Sequence, residues 1–365
     1  MAENQIRVIN FGEVSWLDSQ AIYHAVAHSF KPDSPDTITI MSPKQTYVSI
    51  GYFQELEKEV DLPFCKENHI PVIRREVGGG AVLLDSDQLF FHYIFNKDKL
   101  SRDVGKIYKK FLEPVTGAYR QMGLDVYHRP INDLHIDNKK IGGTGAVEIG
   151  NSMVVVGSFM FDFNYQLMPR ILKVPSEKFR DKIYQNVKDY VTNIGQECKN
   201  RNIPLFGKEE IFRVFLEQVQ KEFNRTVTME EKLNPEEEQQ LELLRKILTD
   251  ESWLNKKGKF LDRKVKINAD VNIYEGNHKC SGGLIRVTCA TNNGFIDDIN
   301  ISGDFTLIPS SGIIHIENSL ISCPLNTETV EQKISSVYSK YGIRSPGLEP
   351  GDLVEAIKTV LSDCF

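Results

Sequence analysis

Apolar and polar residues alternate along this chain with two periods, and the switches between them mark its elements. Trp16, Leu17, Ala21, Ile22, Ala25 and Val26 recur at helical spacing, which predicts an early amphipathic helix. Residues 37–41 and 47–51 read as strands, with Pro43 and Lys44 marking the turn. Residues 71–74 and 81–84 are short strands, and residues 89–95 are a third run rich in aromatic and β-branched side chains. The clearest stripe follows, from Val104 through Ile107, Phe111, Leu112, Val115 and Ala118 to Met122. Pro114 lies inside it, where proline kinks or splits a helix.

Short strands are expected around 124–127 and 134–136, then a turn at Asp137-Asn138. Residues 153–161 form a long buried strand, and helices are expected over 175–190 and 208–223. Asn234-Pro235-Glu236-Glu237 supplies an N-cap, a first-turn proline and first-turn acids for a helix reaching 248. Beyond about residue 255 the period returns to two, with strands at 264–274, 284–289, 295–301 and 313–320. Helices at 327–338 and 352–361 close the chain. This order implies a two-domain α/β (α+β) protein: a mixed sheet with covering helices over 1–250, then a small α+β unit over 251–365.

Composition narrows the class. The 365 residues are 41% hydrophobic and carry a formal net charge of -6, which suits a core-forming protein and removes a global electrostatic case for nucleic-acid binding. The polar start and the lack of a long apolar window point to a cytoplasmic protein that does not enter a membrane. Six cysteines are scattered without a C-x-x-C pair, so reduced thiols and no structural zinc are expected. His92 alternates with apolar neighbours and reads as a core histidine ahead of a pocket residue.

Two glycine-rich segments carry the candidate chemistry. One runs Arg74-Arg75-Glu76-Val77-Gly78-Gly79-Gly80-Ala81-Val82-Leu83-Leu84-Asp85, the other Lys139-Lys140-Ile141-Gly142-Gly143-Thr144-Gly145-Ala146. Neither is a Walker loop or a dinucleotide fingerprint. Both are expected to be loops whose backbone N–H groups and adjacent cations flank an anionic group, an adenylate or a carboxylate. Lys140 would draw charge from a phosphate or from a carbonyl under attack. Asp133, beside Asn132, is a candidate oxygen ligand for Mg²⁺. Cys65 and Cys198 flank these segments without lying in them, and both are expected to be inert.

Together these segments resemble the lipoate–protein ligase family, of the biotin/lipoate ligase type. Arg74 to Asp85 matches the family's R-R-x-x-G-G-G-A-V-x-x-D pattern, Asn132-Asp133 its N-D motif, and Lys140 to Gly145 its K-[IV]-[SG]-G-[ST]-[GA] segment. Val191-Thr192-Asn193-Ile194 echoes its V-T-N-[LI] region, and Gly282 to Val287 with Ile301 to Phe305 echoes its accessory domain. The resemblance implies a two-step reaction in which lipoate and MgATP give lipoyl-AMP, and a lysine of an acceptor then takes the acyl group. Acceptors would be lipoyl domains of 2-oxoacid dehydrogenase complexes or the glycine cleavage H protein, and the enzyme a monomer. Lys140 would be catalytic. Arg74, Gly78, Gly79, Gly80, Ala81, Asn132, Thr144 and Ala146 would hold the adenylate and acyl group, and Asp133 would act through Mg²⁺. The chain departs from the family at Leu84, where histidine is common, and in reading G-G-T-G-A after Ile141. The competing reading is an octanoyl or lipoyl transferase that works without ATP, using a cysteine near the acyl site.

Overall fold

The computed structural model describes residues 4–257 and 271–361, with the side chains of Val271 and Leu361 set aside. Most of the strand expected at 264–274, and Cys364, lie outside the described residues. The chain opens with β1 (Gln5–Val14), α1 (Asp18–His28), β2 (Thr37–Pro43), β3 (Tyr47–Ile50), α2 (Leu56–Glu59), α3 (Leu62–Glu67), β4 (Val72–Arg74), β5 (Val82–Leu84) and β6 (Gln88–Asn96). There follow α4 (Val104–Gln121), β7 (Tyr127–Arg129), β8 (Asp133–Ile136), β9 (Lys139–Ile149), β10 (Ser152–Met160), α5 (Leu167–Ile171), α6 (Glu177–Tyr190), α7 (Ile194–Arg201) and α8 (Lys208–Phe223). Next are β11 (Thr226–Glu230), α9 (Pro235–Leu248), α10 (Glu251–Leu254), β12 (Val271–Cys280), β13 (Gly283–Asn292), β14 (Phe295–Gly303), α11 (Gly312–Leu320), α12 (Thr327–Tyr341) and α13 (Pro350–Leu361).

Two compact units result. The first holds the residues through Ser49, then Asp61–Ile73 and Val82–Thr249; the second holds Ile50–Val60, Arg74–Ala81 and the described residues from Asp250 on. Two short stretches of the first 250 residues therefore fold with the C-terminal part, which a single cut in the sequence does not express.

In the first unit eight strands form one mixed sheet in the order β11-β1-β2-β6-β10-β9-β8-β7. The β1 pairings to β11 and β2 are parallel, and the rest of the ladder from β2 to β7 is antiparallel. Strand β6 shows how both faces are used, since successive side chains point to opposite sides. Tyr93 and Phe95 meet Phe111 of α4 and Phe223 of α8 at ring distances of 5.0–6.1 Å. His92, pointing the other way, stacks on Tyr23 of α1 at 4.4 Å and shares a hydrogen bond with the Thr39 hydroxyl at 2.9 Å. It is a core histidine, and burial holds its pKa down at about 3.

Helix α4 runs unbroken through Pro114. Each large apolar side chain it buries is worth roughly 1.5–3 kcal/mol, so the stripe outweighs the ~3 kcal/mol that an interior proline costs. Strands β1 and β11 have no counterpart in the expected elements. In β1 four successive positions, Ile6 to Ile9, are buried, and Arg7 is among them because Glu237 accepts from its guanidinium at 2.6 and 2.9 Å. A buried arginine in the middle of the run hides the strand signature. Helix α9 does begin as expected, with a capping box between Asn234 and Glu237.

The second unit is built on the antiparallel sheet β12-β13-β14. Residues 313–320, expected as a strand, are helix α11. Ile313, Ile316 and Leu320 are fully buried while Ile314 is 44% exposed, a helical spacing that a short apolar run conceals. The stretch 50–60 joins this sheet directly. The Gly303 N–H donates to the Phe53 carbonyl at 3.0 Å, the Ser302 hydroxyl donates to Glu55, and Arg286 pairs with Glu59.

Candidate active site

The second glycine-rich segment is not a loop. Lys139 to Ile149 form strand β9, laddered to β10 on one side and β8 on the other. Its glycines serve close packing inside a sheet. A Cβ on Gly142 would stand 3.3 Å from Leu134 Cδ1, and one on Gly143 would stand 3.3 Å from Lys140 Cε and Nζ. Gly143 thus leaves free the space that the Lys140 side chain occupies.

Lys140 is fixed at both ends. Its carbonyl accepts from the Thr192 N–H at 2.8 Å, and Val191 forms a parallel bridge with it. Its Nζ lies 2.7 Å from Asp133 Oδ1, with the two side chains 42% and 33% exposed. The register makes this meeting possible. Asp133 lies across from Gly143, and an irregularity between Leu134 and His135 then sets His135 across from Lys140. The Asn132 carbonyl accepts from both the N–H (3.0 Å) and the hydroxyl (2.6 Å) of Thr144, and the Asn132 side chain donates back to the Thr144 carbonyl. Ala146 pairs with Val155 in the next strand and is buried, so its side chain belongs to the core.

His135 was not singled out in the sequence. It is buried, with Nε2 3.9 Å from Asp133 Oδ2. Burial lowers its pKa, helped by the charges of Arg129 and Lys140 and opposed by Asp133. The strand expected at 134–136 begins one residue earlier, at Asp133, and its period of two places Asp133 and His135 on one face.

The Asp133 carboxylate has one oxygen on Lys140. Among the described residues no group of three His, Cys, Asp or Glu side chains could hold a metal ion. One half-exposed carboxylate, already paired, is not a resident Mg²⁺ cage, although Mg²⁺ is commonly held by one or two carboxylates together with substrate phosphates.

Residues Arg74–Ala81 of the first glycine-rich segment belong to the second unit, and Arg74 is buried there. Its side chain is fully buried and all its nitrogens donate to backbone carbonyls. Nη1 reaches Gly51 (3.1 Å), Tyr52 (2.9 Å) and Gln54 (2.7 Å); Nε reaches Trp253 and Leu254 (both 3.1 Å); Nη2 reaches Leu254 (2.8 Å). The Trp253 indole N–H returns a bond to the Arg74 carbonyl at 2.9 Å. Burial pulls its pKa down to about 10, so the group is still a cation at neutral pH. Fully buried and bonded to backbone carbonyls through each of its three nitrogens, the side chain braces the loop.

The three glycines answer to different demands. A Cβ on Gly78 would fall 2.6 Å from the Phe305 carbonyl, and Gly79 has φ +88, but a Cβ on Gly80 would meet nothing closer than Asp304 Cβ at 3.7 Å. The first two are required by the fold and the third is not.

The two cysteines of the first unit are poor nucleophiles. Cys65 and Cys198 are both buried. Burial pushes the Cys65 thiol up to about 11 and also raises Cys198, whereas the reactive form is the thiolate. No helix among the described residues is long and apolar enough to cross a membrane.

Comparison with known proteins finds two family models along the chain. A family model described as the lipoyl protein ligase A/B catalytic domain matches residues 17–220. A second, described as the bacterial lipoate protein ligase C-terminus, matches residues 273–357. Lipoate–protein ligase 1 of Staphylococcus aureus is 27% identical over 299 residues, spanning 81% of this chain and 84% of that protein. Octanoyltransferase LipM of Anoxybacillus flavithermus is 25% identical over 207 residues, 50% of this chain and 74% of that protein. Among solved structures, a bi-partite lipoate protein ligase from Thermoplasma acidophilum, described with its E2 lipoyl domain, superposes with a TM-score of 0.60 at 26% identity over 68% of this chain and 95% of its own. LipL1 of P. falciparum, solved with lipoate, shares the fold with a TM-score of 0.70 at 16% identity, covering 98% of this chain and 99% of that one.

Proposed function

Because the chain belongs to the lipoyl protein ligase A/B catalytic domain family, we propose that it is an ATP-dependent lipoate–protein ligase that makes lipoyl-AMP and passes the lipoyl group to a lysine of an acceptor lipoyl domain. The observation that carries this reading is Lys140: a half-exposed ammonium, held at its carbonyl by Thr192 and aimed by Asp133 and the empty side of Gly143. In the first step a lipoate carboxylate oxygen attacks the α-phosphorus of ATP and pyrophosphate leaves. In the second, the neutral amine of the acceptor lysine attacks the acyl carbon, an amide forms, and AMP leaves with the electron pair of the broken anhydride bond. Negative charge grows on a phosphate oxygen in one step and on the acyl oxygen in the other. A fixed cation beside both is the electrostatic catalyst such steps need.

In this reading Asp133 is first the counter-ion that orients Lys140. Asp133 would offer at most one oxygen to the Mg²⁺ that accompanies ATP, whose charge would help neutralise the phosphates. Asn132 and Thr144 lock the edge of the ladder, with Ala146 as packing behind it, while Gly78, Gly79, Gly80 and Ala81 supply backbone to the acyl-adenylate. Holding acid, nucleotide and amine together turns slow encounters into oriented ones. The transferase reading calls for a reactive cysteine, and the burial of Cys65 and Cys198 weighs against it.

The test mixes protein, lipoate, MgATP and a purified lipoyl domain and weighs the acceptor by intact mass. A gain of one lipoyl group that depends on ATP is expected. A gain only from an acyl-carrier-protein donor, with ATP irrelevant, would overturn the ligase reading.

A further inference from the structure

Lys140 stands where the sheet loosens its hold on β9. Strand β10 accompanies β9 only from Thr144 to Ile149. On the other side Leu134 of β8 faces Gly142 and His135 faces Lys140, so two steps along β9 answer one along β8. A bulge of this kind re-aims the side chain beside it and disrupts the ladder locally. On the flank that β10 has left, Val191 and Thr192 take its place. Val191 bridges Lys140, and the Thr192 N–H donates to the Lys140 carbonyl at 2.8 Å.

What holds Thr192 therefore holds the backbone of Lys140. Thr192 is buried, and its hydroxyl donates to Glu197 in the first turn of α7. The second carboxylate oxygen of Glu197 accepts from Nη1 of Arg201, one turn further along the helix. Arg201 Nη2 donates in turn to Asp137. Asp137 and Asn138, with φ of 46° and 64°, make the tight turn between β8 and β9. The contacts close a ring that leaves Lys140 at its carbonyl and returns to it along the chain from Asp137.

An i, i+4 pair on a helix surface needs no burial, yet the Glu197 side chain is only 6% exposed. Taking a carboxylate out of water is costly unless its oxygens are well bonded, and here each oxygen has a donor. The start of α7 also has anchors outside the ring. The Gly195 N–H donates to the Phe161 carbonyl at 3.0 Å, and the Asn193 side chain caps the helix by accepting from the Gln196 N–H at 2.8 Å. The fold of this stretch thus has supports that do not pass through Glu197, whereas the printed path from Glu197 and Arg201 leads to Lys140.

We propose that Glu197 and Arg201 are positioning residues that act through Thr192 on Lys140, fixing its backbone beside the bulge so that its ammonium meets the reacting centre. The role rests on the ligase reading, in which Lys140 stabilises the charge of both steps.

Thr192→Val removes the hydroxyl and keeps the N–H and the shape, and Thr192→Ser restores the hydroxyl. The valine variant should lose about tenfold in kcat for lipoyl-AMP formation, and serine should recover most of it. The KM values for lipoate and ATP should stay within about twofold of wild type, as for a group that acts in the transition state. Glu197→Gln, isosteric and without a buried charge, should fall by a similar factor, and it decides the matter should the valine variant not fold. In a Lys140→Ala background neither change should cost more than about twofold, because a residue that works through Lys140 has nothing left to position. Wild-type kcat in these variants, or a loss that persists undiminished without the lysine side chain, would overturn the proposal. Exchange of the residue 192 amide in the free protein, read by NMR, should accelerate about tenfold or more in both variants, because its bond to Lys140 depends on the ring; unchanged exchange would refute it. If the wild-type protein makes no lipoyl-AMP, the ligase reading fails, and the exchange measurement still decides whether the ring holds the Lys140 backbone.

Discussion

Two segments of similar composition, glycines behind paired cations, end in opposite structures. In 74–81 the side chains turn inward and hold the backbone in shape. In 139–146 the backbone is spent on a ladder and the Lys140 side chain faces outward beside Asp133. The contrast shows that glycine beside a cation does not by itself mean a phosphate loop. What decides is whether the neighbours need the missing Cβ, as Phe305 does at Gly78, or whether a functional side chain needs it, as Lys140 does at Gly143.

That contrast can be broken most forcefully at the cation. Lys140→Ala should cut lipoylation about 10²–10³-fold while leaving the melting temperature near that of the wild type, since the side chain is 42% exposed. Near-normal turnover would remove Lys140 from the chemistry. Next comes Gly78→Ala, where the new Cβ meets a backbone carbonyl at 2.6 Å that cannot move cheaply. A stability loss of about 1–3 kcal/mol is expected in urea melts, and no loss would show that the approach to Phe305 is relaxed easily.

Gly143→Ala should do the reverse. Its Cβ meets only the flexible end of Lys140 at 3.3 Å, so stability should change by less than about 1 kcal/mol while turnover falls about tenfold through the displaced ammonium. An effect on stability larger than that on rate would contradict the division between the two segments.

The smallest effect belongs to neither segment and serves as a control on the core of the first unit. His92 has a folded pKa of about 3 against an ordinary 6.5. The unfolded chain therefore takes up a proton that the folded one refuses, and stability is lost as pH falls below about 6.5. Between pH 6.5 and 5 the loss is on the order of 1–2 kcal/mol, and His92→Asn should flatten it without changing the pH dependence of catalysis.

Much of this architecture is legible from periodicity. The stripe on α4, the Asn234 capping box and the strands β6 and β10 follow from apolar spacing and local capping rules. What was hidden has physical causes. Arg7 interrupts β1 with a buried charge that only the distant Glu237 explains. The apolar run 312–320 is too short for its period to be told from a strand. At the site, Lys140, Asp133, Asn132 and Thr144 were picked out by residue type and are brought together by the β8–β9 register. The roles of Arg74 and Gly78 were not legible, because their partners, Trp253, Leu254 and Phe305, lie some 180–230 residues further along the chain.

The most direct measurement uses no acceptor at all. The wild-type protein is mixed with lipoate, Mg²⁺ and ATP labelled at the α-phosphate, quenched within a single turnover, and the products are separated. Lipoyl-AMP and pyrophosphate appearing in equal amounts is the expected result. Absence of any labelled adenylate, in a protein that nevertheless loads a lipoyl domain from an acylated carrier, would contradict the assignment of ATP-dependent activation to this chain.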